Sequence, residues 1–256
     1  MKAIILAAGR GERLKEITNC IPKPMIEFRG KPVLQYNIEL CKRYGVEEIY
    51  INLHHLPFKI TDYLGDGEKF GVKIKYSFEE ELLGTAGAVA KIAKNYWKDN
   101  VLKSASYKES GSHNPFYVIY GDQISEFDLN SLKEKYDQQI RIDNYCIGVI
   151  AFHYREDVTH SGVAEFDSNF KIVRFIEKPR PVETESHWVN AGVYYLDYKI
   201  LNHIPSGSSD FGKQIFPNLL EKKLTVYGVC EHKSVHVFDT PEMYSKNINI
   251  TRETNE

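Results

Sequence analysis

The chain opens on Ala3-Ile4-Ile5-Leu6-Ala7-Ala8, an unbroken apolar run that stops at Gly9-Arg10-Gly11. A short run of that kind, bounded by glycine, reads as a strand buried on both faces. Such a strand needs covering layers on either side, and the next hundred residues provide them. Pro32 starts a helix through residue 42, with Val33, Leu34, Ile38, Leu40 and Cys41 forming one apolar stripe. Residues 48–53 and 72–78 read as further strands, 57–64 as a short helix between them, and 86–97 as a helix with Ala86, Val89, Ala90, Ala93 and Trp97 on one face. Residues 116–120 form another apolar strand that ends in Gly121-Asp122. Strands alternating with helices predict βαβ units, hence an α/β fold with a Rossmann-like, mostly parallel sheet flanked by helices.

From residue 144 the rhythm changes. Residues 145–153, 163–166, 171–176 and 188–196 read as strands joined by short turns, which predicts a smaller β-rich lobe with antiparallel pairing. Helices are expected at 211–220 and 241–250, with strands at 224–229 and 235–238 between them. Residues 104–114 are a polar, Gly- and Ser-rich loop inside a long 98–116 segment, readable as a lid, a partner surface or an insertion. Residues 251–256 are expected to fray.

A chain of 256 residues suits one α/β domain and can bury a core without staples. The formal net charge of −2 gives no field favouring nucleic acid or an anionic membrane. The cysteines, Cys20, Cys41, Cys146 and Cys230, are scattered without a CxxC pair, which argues against zinc and a disulfide framework and for reduced thiols in the cytoplasm. The first apolar run is too short for a signal peptide, and no stretch approaches the ~20 apolar residues of a membrane span.

The loop after the first strand carries the chemistry. Gly9-Arg10-Gly11 begins like a dinucleotide fingerprint, but Leu14 takes the place of the third glycine, and the second strand ends in Asn52-Leu53-His54 without a ribose-binding acid. No Gly-Lys-Ser/Thr follows, so the P-loop also fails. The remaining reading is a loop that wraps a polyphosphate with main-chain N–H groups. Small residues at Ala7, Ala8, Gly9 and Gly11 let backbone approach a ligand, and Arg10, Arg13 and Lys23 neutralise phosphate charge. Pro22 and Pro24 fix the chain on both sides of Lys23, which aims a flexible cation. Any one of these residues alone would read better as a solvated surface turn; the constellation does not. Asp122 follows an apolar strand at the carboxyl end of the sheet and is the first candidate ligand for magnesium, which needs only one or two carboxylates when phosphates supply the rest. Asp239, just past another apolar run, is the second. Asp128 reads as a helix cap, and His232 and His236 as structural.

The run LAAGRGERL…PKPM resembles the signature loop of the sugar-1-phosphate nucleotidyltransferases. Leu83-Gly84-Thr85-Ala86-Gly87, Tyr120-Gly121-Asp122, Glu177-Lys178-Pro179, Asn190-Ala191-Gly192 and Phe238-Asp239-Thr240-Pro241-Glu242 continue the likeness in order along nearly the whole chain. The resemblance implies a GT-A-like nucleotidyltransferase domain over 1–256, with 1–143 mainly binding nucleotide and 144–256 mainly binding sugar phosphate. It implies that a nucleoside triphosphate and a sugar 1-phosphate give nucleotide-sugar and pyrophosphate, with Mg2+ or Mn2+ as cofactor. Arg13, Lys23 and Asp122 are then catalytic; Leu6 to Gly11, Glu79, Gly84, Thr85 and Gly121 bind nucleotide, with Glu79 or Glu81 reading the base edge. Gly162, Glu177, Lys178 and Asn190 bind sugar phosphate, and Asp122 and Asp239 hold the metal. Many members place the second aspartate two residues earlier, where this chain has Val237; cytidylyltransferase relatives carry an Asp-Thr like this one.

Glutamate beside a base suits guanine, and LLGTAGA looks most like mannose- or heptose-phosphate guanylyltransferases, so GTP with mannose 1-phosphate or D-glycero-D-manno-heptose 1-phosphate is the leading expectation. Cytidylyl, uridylyl and thymidylyl transfer stay open. The sequence shows none of the β-helix repeats that bring acetyltransferase activity or extended oligomers to some relatives, so a monomer or homodimer is expected. A glycosyltransferase usually carries Asp-X-Asp where this chain reads Gly121-Asp122-Gln123-Ile124. A non-catalytic sensor would have lost one of Arg13, Lys23, Asp122 or Asp239, and all are present.

Overall fold

The structure is a computed structural model that describes residues 1–97 and 113–253. In chain order the elements are β1 (Lys2–Leu6), α1 (Lys15–Thr18), the two-residue strands β2 (Glu27–Phe28) and β3 (Lys31–Pro32), α2 (Val33–Arg43), β4 (Glu48–Leu53), α3 (Pro57–Leu64), β5 (Lys73–Phe78) and α4 (Gly84–Tyr96). Then come β6 (Pro115–Tyr120), β7 (Gln123–Ser125), α5 (Leu129–Gln139), β8 (Cys146–Tyr154), β9 (Gly162–Phe166), β10 (Ile172–Glu177), β11 (Trp188–Asp197), α6 (Phe216–Glu221), β12 (Thr225–Glu231), β13 (Val235–Val237) and α7 (Pro241–Glu253). The chain packs as two compact units interleaved in sequence: Met1–Leu82, Ile119–Ser125 and Val235–Glu256 form the first, Leu83–Val118 and Glu126–Ser234 the second.

In the first unit β4 lies between β1 and β5, parallel to both, with Leu6 opposite Asn52 and Asn52 opposite Ser77. Ala3, Ile4, Ile5, Ile49 and Ile51 are fully buried, as a strand covered on both faces requires. The α2 helix buries Val33, Leu34, Asn37, Ile38, Leu40 and Cys41, the stripe that its apolar spacing predicts. It stops at Gly45, whose φ of +74° permits the paired closing bonds Gly45 N–H to Lys42 O and Val46 N–H to Cys41 O. A separate apolar cluster of Leu14, Ile26, Phe28, Val33, Ile124 and Phe238 anchors the first loop, β2 and β7 on one another.

In the second unit β8 is the hub, antiparallel to β11 and parallel to β12, while β9 pairs antiparallel with β10. Asp128 caps α5 by accepting from Asn130 N–H at 2.8 Å, the capping role its position implies. Phe175, Tyr194, Phe211 and Phe216 pack ring against ring behind the end of β10. The mixed α/β class and the antiparallel pairing after residue 144 are those the sequence predicts. The expected helix at 211–220 is present, with Asp210 capping its start through the N–H groups of Gly212 and Lys213; its first turn, Phe211–Ile215, is π-helical and runs into α6. β2, β3 and β7, each of two or three residues, are too short to show a period, whereas α5 follows the helix cap expected at Asp128 and buries Leu129, Leu132 and Tyr136 at helical spacing. The loop 104–114 lies, up to residue 112, outside the described residues. Among the described residues no helix is long and apolar enough to cross a membrane.

Candidate active site

In the first unit β7 and β13 pair antiparallel, with Val237 opposite Gln123 and His236 opposite Ile124. That register sets the residue before β7, Asp122, beside the residues that follow β13, Phe238 and Asp239. Phe238 is fully buried and meets Phe28 edge-to-face at 5.8 Å, which pins the chain just before Asp239. From α2, the buried Asn37 amide donates to Gln123 O at 3.0 Å and fixes the chain just after Asp122. Lys23 enters from a 3-10 turn closed by Met25 N–H to Pro22 O.

Lys23 is only 6% exposed, and its Nζ donates to Asp122 Oδ2 at 2.5 Å and to Asp239 Oδ1. Arg13 Nη2 donates to the other oxygen of Asp239 at 3.0 Å. Burial alone would lower the Lys23 pKa, but the two carboxylates outweigh it and hold it above the ordinary lysine value. Burial likewise opposes ionisation of Asp239, and the Lys23 and Arg13 cations reverse that and hold its carboxyl below the usual range. Arg13 and Lys23, from the stretch after β1, thus converge with Asp122 and Asp239 from two distant segments of the chain.

The same pair of carboxylates tests the fit of a divalent ion. Two half-buried carboxylates aimed at one cationic centre are the protein share of a magnesium site whose other ligands are phosphate and water oxygens. Among the described residues no group of three or more His, Cys, Asp or Glu is arranged to hold a metal. The donor set therefore fits Mg2+ or Mn2+ shared with a ligand, not a closed metal cage.

The loop from Leu6 to Gly11 leaves β1 beside this cluster. A side chain at Gly11, where φ is +64°, would strike the Thr18 methyl at 2.8 Å, so that glycine is required by packing. A side chain at Gly9 would meet nothing within 4 Å, so packing does not require that glycine. Gly121 is held against β1: its N–H donates to Leu6 O at 2.8 Å, and a Cβ would lie 2.9 Å from the same oxygen. Arg10 donates to His54 Nε2, and the other ring nitrogen of His54 faces Glu79 O at 2.9 Å. A carbonyl only accepts, so Nδ1 carries the proton and Nε2 accepts. Of the two glutamates predicted near the base, Glu79 is buried and Glu81 is exposed.

In the second unit Glu177 ends β10 opposite Gly162. A Cβ at Gly162 would lie 2.8 Å from Glu177 Oε2, and one at Gly212 2.4 Å from it, so two glycines make room for this carboxylate. Burial pushes the Glu177 carboxyl up, and the Asp210 carboxylate adds to it. Asp210 also accepts from Thr85 Oγ1 at 3.0 Å, while Thr85 Oγ1 accepts from Phe211 N–H. Lys178 takes the left-handed conformation, with φ of +54°, immediately before Pro179. Asn190 turns its amide inward, donating to Tyr194 Oη and accepting from Gly192 N–H across an irregularity in β11. Gly84, at φ of +69°, packs on Ser209 O.

Sequence reasoning overlooked Asn37, Asn52, Asp210 and Gly212. The Ser208-Ser209-Asp210-Phe211-Gly212 run is a turn-initiating pattern that could have exposed Asp210; the buried asparagines left no local signal.

The sequence profile of the Nucleotidyl transferase family matches residues 2–235, and the chain belongs to that family. It is 35% identical over 240 residues to the UTP–glucose-1-phosphate uridylyltransferase of Synechocystis, covering 90% of this chain and 58% of that one. It is 32% identical to the probable mannose-1-phosphate guanylyltransferase 1 of Oryza sativa, covering 86% and 56%. The chain thus spans a little over half the length of these curated relatives. Among solved structures, HddC from Yersinia pseudotuberculosis complexed with GMP-PN superposes with a TM-score of 0.71 at 26% identity, over 97% of this chain and 98% of that one.

Proposed function

We propose that the protein transfers a nucleotidyl group from a nucleoside triphosphate to a sugar 1-phosphate, giving a nucleotide-sugar and pyrophosphate. The observation that carries this reading is the meeting of Lys23 and Arg13 with Asp122 and Asp239 beside the glycine-rich loop. The sugar-phosphate oxygen forms the new bond to the α-phosphorus as the bond to the β-phosphate oxygen breaks. That nucleophile is already an anion, so no protein base is needed. The barrier is alignment of two polyanions and the charge that moves to pyrophosphate. Lys23 presents its ammonium toward the α-phosphate, Arg13 its guanidinium toward the leaving pyrophosphate, and main-chain N–H groups from Leu6 to Gly11 hold the triphosphate. Magnesium or manganese, when bound by Asp122 and Asp239, supplies further neutralisation of phosphate charge. Gly84, Thr85 and Gly121 complete the nucleotide side. Glu177 accepts from sugar hydroxyls in the room left by Gly162 and Gly212, Lys178 binds the sugar phosphate, and Asn190 shapes that side. In this reading 1–143 serves mainly the nucleotide and 144–256 mainly the sugar phosphate, in a cytoplasmic monomer or homodimer that takes neither nucleic acid nor membrane.

For the substrates we infer GTP with mannose 1-phosphate or D-glycero-D-manno-heptose 1-phosphate. The buried Glu79 and the names of the rice relative and the GMP-PN-bound HddC support it. The Synechocystis relative supports a second reading, UTP with glucose 1-phosphate. Pyrophosphate release measured for five nucleoside triphosphates against several sugar 1-phosphates, with magnesium, tests both. The expected result is turnover with GTP and a manno-configured phosphate. Turnover confined to UTP and glucose 1-phosphate selects the second reading, and no release with any pair defeats nucleotidyl transfer. Consumption of a nucleotide-sugar instead would indicate a glycosyltransferase.

A further inference from the structure

Asn52 is the penultimate residue of β4, the strand between β1 and β5, and its side chain spans both neighbours. Its Oδ1 accepts from Ala7 N–H at 2.8 Å, at the start of the glycine-rich loop, and its Nδ2 donates to Glu79 Oε1 at 2.9 Å, just past β5. All three residues are at least nine-tenths buried. The partners fix which way the amide points: a backbone N–H needs an oxygen and a carboxylate needs a donor. No other side chain of this length offers both in one plane. An aspartate would keep the bond to Ala7 but set a carboxylate against Glu79; a leucine would orphan both buried groups.

We propose that Asn52 is the positioning residue for base selection, holding the Glu79 carboxylate as a pure acceptor pair while tying it to the loop that takes the phosphates. This rests on the nucleotidyl-transfer reading above. A fixed carboxylate selects by complementarity. Guanine alone presents two adjacent donors, N1–H and the 2-amino group, to its two oxygens. Uracil and thymine present one N–H between two carbonyls that would face the carboxylate, and cytosine and adenine present one amino donor beside a ring acceptor. One Glu79 oxygen already accepts from Asn52, and a carboxylate oxygen has a second lone pair for the base. Because the same amide grips Ala7, a shift of Asn52 moves the base reader and the phosphate loop together.

The test compares GTP with ITP, which lacks only the 2-amino group. The ratio of their kcat/KM values on one preparation does not depend on how much of it is folded, so a purely structural role for Asn52 leaves it unchanged. The wild-type chain should favour GTP about 10- to 100-fold, as for one hydrogen bond to a charged acceptor. Asn52→Asp should bring the ratio close to one and lower the melting temperature. The double variant Asn52→Asp/Glu79→Gln reverses donor and acceptor; it should recover the melting temperature and not the ratio. An unchanged ratio in Asn52→Asp overturns the positioning role. Wild-type transfer that does not favour GTP over ITP overturns the pairing with guanine while leaving nucleotidyl transfer standing. Absence of transfer from every nucleotide defeats the functional reading itself, and this proposal with it.

Discussion

The ammonium of Lys23 lies 2.5 Å from Asp122 Oδ2 and bonds Asp239 as well, so one buried cation bridges both carboxylates proposed to hold a metal. Lys23→Ala removes that internal counter-ion. It should cut turnover about 10²- to 10³-fold and leave two facing carboxylates, destabilising the chain by about 1–3 kcal/mol given their partial exposure. It should also tighten binding of bare Mn2+ measured by calorimetry without nucleotide, and Mn2+ should restore the melting temperature. Weaker Mn2+ binding in the variant than in the wild type would mean that the carboxylates do not hold the ion.

The same cluster has a defined acid limit. The Asp239 carboxyl is held below its ordinary value, so its contribution is present above the unfolded pKa of ~3.9 and lost as pH falls through the folded one. Lys23 is held above its ordinary value, so its contribution is complete below ~10.4 and lost only in stronger alkali. Denaturation titrations of wild type and Asp239→Asn should differ by a constant amount from pH 6 to 9 and converge below about pH 4.

What could be read before the fold was known follows from how local each signal is. Strand β1, helix α2 and strand β4 announce themselves because apolar residues recur at the period of their own element. Asp122 and Asp239 stand out because each follows an apolar run. Their meeting depends on the pairing of β13, which the sequence predicts at 235–238, with β7, a strand of three residues too short to show a period, and that pairing lies in no local window. Asn52 reads locally as nothing more than a polar residue at a strand end. Its importance comes from lying between β1 and β5, a lateral order that no window of sequence contains. Glycines divide similarly: Gly84 and Gly121 are explained by close backbone packing, whereas nothing in the fold accounts for Gly9.

Gly212 and Gly84 make a paired test. A methyl at Gly212 would meet the tip of the Glu177 side chain, which can swing away; a methyl at Gly84 would meet Ser209 backbone, at a φ of +69°. Gly212→Ala should cost only about 1 kcal/mol while raising the KM for sugar phosphate. Gly84→Ala should lose about 2–4 kcal/mol. Thermal melts alongside substrate titrations separate the two, and an unchanged KM in Gly212→Ala would remove Glu177 from the sugar side.

His153, buried within β8, should make the fold acid-sensitive. Burial, with Arg155 adding to it, lowers its pKa to about 4. The unfolded chain binds this proton near pH 6.5 and the folded chain does not, so stability is complete above about 6.5 and declines as pH falls toward 4. The loss from this residue approaches about 3 kcal/mol. His153→Leu should flatten the denaturation profile between pH 6.5 and 4, and an equally steep profile in the variant would exclude His153 as the source.

Lys178 separates stability from function most directly. Its backbone is left-handed, at φ of +54°, a conformation that costs a side-chain-bearing residue roughly 1–2 kcal/mol. Its N–H is spent on Ser161 O at 3.0 Å, and its side chain is exposed, so local packing gains little from the lysine itself. Strain kept without a packing return is expected where a side chain must be delivered to a ligand. Lys178→Gly relieves the strain but gives back part of the gain through the greater freedom of the unfolded glycine, a net stabilisation of up to about 1 kcal/mol. The same change should raise the KM for sugar 1-phosphate about tenfold or more through loss of one charge-assisted bond. A more stable chain that binds sugar phosphate poorly would establish that this strain serves the substrate. A stabilised chain with unaltered KM would assign Lys178 to the surface, and the phosphate of the sugar would then need another cation.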